Sequence, residues 1–580
     1  MRGALETSST SALEKATACF DRGDLEVAES LCRVILAASP NDASGHILLG
    51  KVLQNANRPI DAQSAFRAAV KLSPHAADSW RHWAKLLKSL GELEKARECL
   101  CMALTHLPES FHIHHDLGLI FLALKDGAGA DRHISRALNI EPRSEIALCH
   151  LGLVRMHQGR CDEAIAAYHA GIAINPSVPE LHNNLGDALK ERDLDAAERA
   201  FSTATALRPD FAEALDSLGV IYFFKGRLED ALDKFDEALL AKPGLQRAKA
   251  HKTTTLFLLE RLPEAWRLYR DRYAVAGYKR MPHGRFQVPV WNGEPFAGKA
   301  LLVWTDLGLG EEILQAGMLL EVLASALCLT VECSPRLVRL FARSFPVATI
   351  IPRTNPTRAC PVPVVADYQI AAGDLGAIFR DRRAKFPLHT GYLTPDPEKV
   401  STLRQRYARA SAEHMPGNMI VGLSWASHNA DLGMDKTLAL SEFAPLLRQP
   451  GVTFVNLQYG AARDEAVAVA AAMGIDIQTD QTVDPSGDMD DVAAQAAAMD
   501  LIISVSSTVV HMAGALNVPV WNLVPGHRAS GMWHWFSDSE NSAWYPSMRI
   551  YRRTQEKNQE LMDRLAGDLE ELCSHAGPRG

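Results

Sequence analysis

Prolines fall at Pro40, Pro74, Pro108, Pro142 and Pro176, each 34 residues after the last. Ala28, Ala62, Ala96, Ala130 and Ala164 keep the same step, and Gly50, Gly118 and Gly152 hold a third phase with Ala84 between the first two. The register then shortens by one residue, giving Gly186, Ala197 and Pro209, and resumes at Gly219, Ala231 and Pro243. A period this long makes each unit one supersecondary piece that buries its apolar face only against its neighbours. Gly and Ala suit positions where two helices touch, and proline ends the second helix of each unit. Seven units fit between Ser9 and Leu245. A degenerate eighth, carrying Ala265, Tyr269 and Tyr273, closes a solenoid expected over residues 9–275.

This pattern resembles tetratricopeptide repeats, whose concave surfaces bind another chain. The position two residues before each phase-defining small residue holds His82, Asp116, His150, Asn184 and Ser217. A polar residue once per unit forms a column, and this column is the candidate surface for a protein acceptor. The run Phe111-His112-Ile113-His114-His115 falls within the first helix of the fourth repeat, with no matching ligand set nearby, so no metal site is assigned.

With 580 residues, a net charge of −8 and a pI near 6.2, the chain lacks the basic footprint of a general nucleic-acid binder. The basic run Arg380-Asp381-Arg382-Arg383-Ala384-Lys385 is expected to be solvated surface. The N-terminus has no apolar stretch of signal-peptide type. Ile313–Val331, although apolar, is interrupted by Gln315 and Glu321 and reads as a buried helix running into a strand, not a membrane span. Ten cysteines without a Cys-x-x-Cys pair point to free thiols, most of them buried, and to a cytoplasmic protein.

After residue 275 the pattern changes. A turn-rich linker is expected over 276–297. Apolar strand-like runs follow at Ala300–Trp304, Leu329–Cys333, Ala348–Ile351, Met419–Ser424, Val452–Leu457, Ile475–Gln478, Leu501–Val505 and Val518–Leu523. Their alternation with helical segments predicts parallel sheets covered on both faces. The break near Pro395–Pro416 divides them into lobes over 298–400 and 415–560. At two strand-to-helix junctions the residues suit a phosphorylated ligand. Gly308-Leu309-Gly310-Glu311 follows the first strand. Ser506-Ser507-Thr508, with His511 one turn into the next helix, follows Leu501–Val505. Hydroxyls and the free N–H groups of a helix start donate to phosphate there. Lys436, beside Thr437, adds a cation.

In this order these residues, together with Val290-Trp291-Asn292-Gly293, Val421–Trp425, Leu457-Gln458-Tyr459-Gly460 and Ser542–Arg549, resemble the bacterial heptosyltransferase family of glycosyltransferases. The closer likeness is to bacterial proteins that join tetratricopeptide repeats to such a domain. The resemblance implies an α solenoid followed by an α/β GT-B-like domain of two Rossmann-like lobes. It implies a nucleotide-sugar as co-substrate, no resident cofactor and activity that survives chelator. It places Gly308, Gly310, Lys436, Thr437, Gln458, Ser506, Ser507, Thr508 and His511 around the donor, with Glu311 as general base. The family's turn usually reads Gly-Leu-Gly-Asp, and its second turn often has Asp-Thr where Ser506-Ser507 stand here. The repeat-plus-GT-B architecture also resembles the eukaryotic O-linked N-acetylglucosamine transferases and the flagellin-modifying enzymes. A protein acceptor, flagellin among the candidates, is therefore expected. A transferase acting on lipopolysaccharide or another glycan, and a binding scaffold with an inactive transferase fold, stay open as alternatives.

Overall fold

A computed structural model gives the fold. It describes residues 2–274, 286, 288–295, 298–305, 307–354, 366–386, 391–412, 418–427, 436–525, 532–536, 539–553 and 558–575. Asp306 and Asp435, and residues 276–285 of the expected linker, lie outside these. The chain divides into two compact units, Met1–Leu218 and Gly219–Gly580.

The first unit is an α solenoid: α1 (Arg2–Asp21), α2 (Leu25–Ala38), α3 (Ala43–Asn55), α4 (Pro59–Leu72), α5 (Ala77–Ser89), α6 (Leu93–His106), α7 (Phe111–Ala123), α8 (Gly127–Ile140), α9 (Glu145–His157), α10 (Cys161–Ile174), α11 (Pro179–Leu189) and α12 (Leu194–Leu207). Each odd helix packs on the even helix that follows, and α2, α4, α6, α8 and α10 each pack on the next odd one. The small-residue phases have a steric cause. A Cβ at Gly50 would lie 2.6 Å from the Phe66 ring, at Gly152 2.3 Å from Tyr168, and at Gly186 2.8 Å from Phe201. Ala28, Ala62, Ala96, Ala130, Ala164 and Ala197 are all fully buried.

One 34-residue marker was not singled out from sequence. The turn inside each pair is made by a residue of positive φ: Gly23, Asn57, Gly91, Lys125 and Gly159. Lysine adopts that conformation only against a steric cost of roughly 1 kcal/mol. Lys125→Gly is therefore expected to raise the denaturation midpoint modestly, whereas Gly91→Lys should lower it. A lower midpoint for Lys125→Gly would contradict the strain.

The second unit begins within α13 (Ala212–Phe224), whose residues from Gly219 onward belong to it, and continues with α14 (Leu228–Ala241), α15 (Gln246–Leu258) and α16 (Leu262–Tyr269). The repeat period carries the solenoid to 275, yet these last helices share a compact unit with the α/β region. Trp266 of α16 donates from Nε1 to the Arg380 carbonyl at 2.8 Å, and its ring lies where a Cβ on Gly376 would be, 2.1 Å away.

Two wholly parallel sheets follow. The first, in the order β3-β2-β1-β4, comprises β1 (Ala300–Trp304), β2 (Cys328–Cys333), β3 (Thr349–Pro352) and β4 (Tyr368–Ala371). The second, in the order β6-β5-β7-β8-β9, comprises β5 (Met419–Ser424), β6 (Val452–Asn456), β7 (Leu501–Val505), β8 (Val520–Val524) and β9 (Met548–Arg552). Every residue of β7 is buried, as expected of a central strand covered on both faces.

Several sequence expectations need correction. Ile475–Gln478 is not a strand; only Gln478 bridges to Val455, its N–H and carbonyl bracketed by Phe454 and Asn456. Part of the expected linker is sheet margin: Val290 bridges to Gln369, and Trp291 is buried. Arg380 is not solvated. It is 1% exposed, pairs with Glu321 at 2.6 Å and donates to the Phe379 and Lys385 carbonyls. Among the described residues, no helix is long and apolar enough to cross a membrane.

Candidate active site

A cavity of about 360 Å³ in the second unit lies beyond the carboxyl ends of β1, β5 and β7, where open parallel sheets place their ligands. Gly308, Gly310, Glu311 and Arg336 line it from the first sheet's side. Ser427, Lys436, Ser506, Ser507, Thr508 and His511 line it from the second. Two chain segments some two hundred residues apart thus meet in one pocket.

The glycines of the first junction, expected around the donor, line the cavity and have a steric role as well. A Cβ at Gly308 would sit 2.9 Å from the Glu311 carboxylate, and one at Gly310 would sit 2.9 Å from the His511 ring. Gly308 leaves space for Glu311 to fold back over the turn. Gly310 lets the Leu309–Ala316 helix approach the Thr508–Ala515 helix closely.

Glu311 and Glu312 have unlike fates. Glu311 is half-buried and faces the cavity. Glu312 is 1% exposed, accepts from the Ser334 N–H at 2.8 Å and pairs with Arg353 at 2.9 Å. Arg353 also donates to the carbonyl and hydroxyl of Thr305. The pair thereby ties together the segments that leave β1, β2 and β3. Burial pushes the Glu312 carboxyl up against the opposing pull of Arg353. Arg353→Ala would leave that carboxylate buried without its cation, a change that costs about 3–5 kcal/mol. Chemical denaturation should show a loss on this scale, and an unchanged midpoint would contradict the anchoring role.

Lys436 supplies positive charge. Among the described residues its ammonium makes no hydrogen bond or ion pair within 4 Å. Burial lowers its proton affinity and the Glu311 carboxylate acts against that. A second cation, Arg336, was missed from sequence. Its Nε donates to the Gly487 carbonyl at 2.7 Å and its Nη2 to the Pro485 carbonyl at 2.8 Å, holding the guanidinium at the cavity wall. The signal was an arginine three residues past the carboxyl end of β2.

Ser507 caps the Thr508–Ala515 helix, accepting from the Val509 N–H at 3.3 Å. Ser506 accepts from Trp535 Nε1 at 2.7 Å, which leaves its own proton to donate. The tautomer of His511 follows from its neighbours. The Tyr392 hydroxyl donates to the Ile313 carbonyl at 2.6 Å and hydrogen-bonds to Tyr545. Tyr545 must therefore give its proton to Tyr392 and accept from His511 Nδ1, 3.1 Å away. Nε2 is left as an acceptor. Burial, aided by Lys436, holds the imidazole neutral, with its pKa pushed down to about 3. His511 thus offers a lone pair, suited to a sugar hydroxyl and not to a phosphate oxygen.

Two expected residues stand apart from the cavity lining. Gln458 is 1% exposed; its Oε1 accepts from Ser424 Oγ and the Trp425 and Ala426 N–H groups, and its Nε2 donates to the Ala426 and Tyr459 carbonyls. It braces the loop after β5. Thr437 accepts from the Ser427 N–H at 3.1 Å and so shapes the same loop.

The column His82, Asp116, His150, Asn184 and Ser217 belongs to the first unit, where each side chain is half-buried. Asp116 pairs with Arg81 at 2.7 Å, His150 meets His115 at 2.8 Å and Asn184 donates to Cys149 at 3.3 Å, each reaching one repeat back. Burial holds His82, His133 and His150 neutral, each with its pKa pushed down to about 4 from an ordinary 6.5. A depressed pKa contributes stability that is present above the unfolded value and is lost as pH falls. The repeat helices should therefore lose stability progressively from about pH 6.5 towards 4, with proton uptake on unfolding. Urea midpoints that stay flat across that window would contradict this.

Residues 152–192 match the family described as TPR repeat, and residues 47–105 and 186–245 match the one described as tetratricopeptide repeat. The chain carries tetratricopeptide repeats over these residues. It is 29% identical over 583 residues to Protein FlbA of Caulobacter vibrioides, covering 93% of this chain and 95% of that protein. It is 25% identical over 211 residues to Protein O-mannosyl-transferase TMTC3 of Homo sapiens, covering 35% of this chain and 23% of that one. A tetratricopeptide repeat protein structure from Parabacteroides merdae aligns with 43% of this chain and 99% of its own at 19% identity, with a TM-score of 0.38.

Proposed function

We propose that the chain is a metal-independent glycosyltransferase of the GT-B type that moves a sugar from a nucleotide-sugar to a hydroxyl of a protein, and that it acts in the cytoplasm. The observation that carries this is the meeting of Glu311, Lys436, Arg336 and the Ser506–Thr508 turn in one cavity between two parallel sheets. Glu311 takes the proton of the acceptor hydroxyl as the acceptor oxygen bonds to the anomeric carbon. The bond from that carbon to the phosphate oxygen breaks, and its electron pair stays on the phosphate. Lys436, Arg336, Ser507 and Thr508 face the charge that develops there, and such preorganised groups contribute several kcal/mol in water-poor sites. Gly308 and Gly310 give these groups their spacing, and Gln458 and Thr437 hold the loop that carries Ser427.

Helical repeats present surfaces to other chains, which supports a protein as acceptor. The column from His82 to Ser217 is proposed to contact it, and flagellin is one candidate. The test is donor turnover by the purified chain across a panel of nucleotide-sugars. Release of nucleotide that depends on Glu311 supports the proposal; a chain that neither binds nucleotide nor turns over any donor refutes it.

A further inference from the structure

Glu311 lines a second cavity as well. This one, about 220 Å³, is walled by Trp266, Tyr269, Arg272, Gln315, Gly373 and Trp533. Three features mark it as built to receive something. Gln315 is only 5% exposed, and its Oε1 has no hydrogen-bond partner among the described residues. A buried amide oxygen left this way costs about 1–3 kcal/mol unless a ligand donates to it. Above Gly373, Tyr269 Oη, Arg272 Nη2 and Gln315 Nε2 converge, lying 3.1, 3.2 and 3.2 Å from where a Cβ would stand. Tyr269, Arg272 and Trp533 also wall a neighbouring space of about 260 Å³ along α15, lined on its other side by Gln246, Lys249 and Thr253.

Trp533 stacks on Phe257 at 4.0 Å and meets Trp266 and Tyr269 edge-to-face, at interplanar angles of 86° and 63°. Trp266, Tyr269 and Trp533 give the chamber an apolar wall while Gln315 offers it one polar atom, a combination that suits an apolar side chain and a backbone N–H of a peptide. Two adjoining spaces that share Tyr269, Arg272 and Trp533 as walls suit successive side chains of one extended segment. We propose that this chamber seats the acceptor as an extended peptide segment, with its Ser or Thr hydroxyl directed at Glu311 and a backbone N–H donated to Gln315 Oε1. Gly373 is side-chain-free because the ends of Tyr269, Arg272 and Gln315 occupy the space above it, and its small size lets Gln315 take the position that aims Oε1 into the chamber. The inference rests on the transferase reading and names the acceptor subsite within it.

The test uses the full-length chain, the nucleotide-sugar it turns over, and an array of short peptides with one central Ser or Thr and randomised flanks. Gln315→Leu should raise the peptide KM roughly tenfold or more, the loss expected for one buried hydrogen bond, with nucleotide Kd unchanged. Gly373→Ala, whose methyl would press on the ends of Gln315, Arg272 and Tyr269 and turn the Gln315 amide out of place, should do the same, and it serves should Gln315→Leu fail to fold. Unchanged peptide KM in a folded variant would overturn the inference while leaving the transferase reading intact. Modification of glycan acceptors with no peptide modified would overturn it as well. A wild-type chain without nucleotide binding or donor turnover would overturn both.

Discussion

Glu311→Gln is expected to lower transfer turnover by about 10²–10⁴-fold, the range that general acid–base catalysis supplies. The amide is nearly isosteric with the carboxylate, so nucleotide affinity should hold within roughly twofold. Position and freedom single out this residue. Glu311 lines both the cavity with the hydroxyl turn and the aromatic chamber, so it stands where donor and acceptor would meet. Among the described residues it makes no hydrogen bond or ion pair within 4 Å, so its lone pairs remain available for a substrate proton. Glu312, one residue on, is committed to Arg353 and Ser334 and cannot replace it. Glu311→Asp, which restores the residue of the resembled turn, should retain more activity than Glu311→Gln. Wild-type turnover in the glutamine variant would reduce Glu311 to a helix-terminal charge.

Lys436→Ala is expected to weaken nucleotide binding and to slow transfer by about 10²–10³-fold, as removal of one preorganised donor does. An exposed lysine would be worth far less. This one is half-buried and unpaired among the described residues, so its ammonium is less hydrated than a surface lysine's and acts on a phosphate through a lower effective dielectric. Lys436→Arg should recover part of the affinity. Calorimetric titration giving equal nucleotide affinity for wild type and Lys436→Ala would remove Lys436 from the site.

The repeat array was legible because steric contact at Gly50, Gly152 and Gly186 forces small residues at fixed spacing. The central strands were legible because burial on both faces makes them continuous apolar runs. Two edge strands were not. In β4 the buried Gln369 takes its hydrogen bonds from Trp304 and gives them to the Phe286 and Val288 carbonyls, and in β9 Arg549 alternates with apolar residues. Neither reads as an apolar run. The junction residues that line the cavity stood out because glycines and hydroxyls at strand ends are locally recognisable. Arg336, Arg353 and Gln315 were missed because their meaning comes from partners that the fold brings near. Gln458 shows the converse: its motif pointed to the ligand, and its hydrogen bonds hold a loop.

The central claim is that this chain places a sugar on a protein. Intact-mass spectrometry of the partner that co-purifies with the chain tests it most directly, comparing cells with the wild-type chain, with Glu311→Gln, and without the chain. The account predicts a partner heavier by one or more sugar residues in the first case and unmodified in the other two. A partner of the same mass in all three would contradict it.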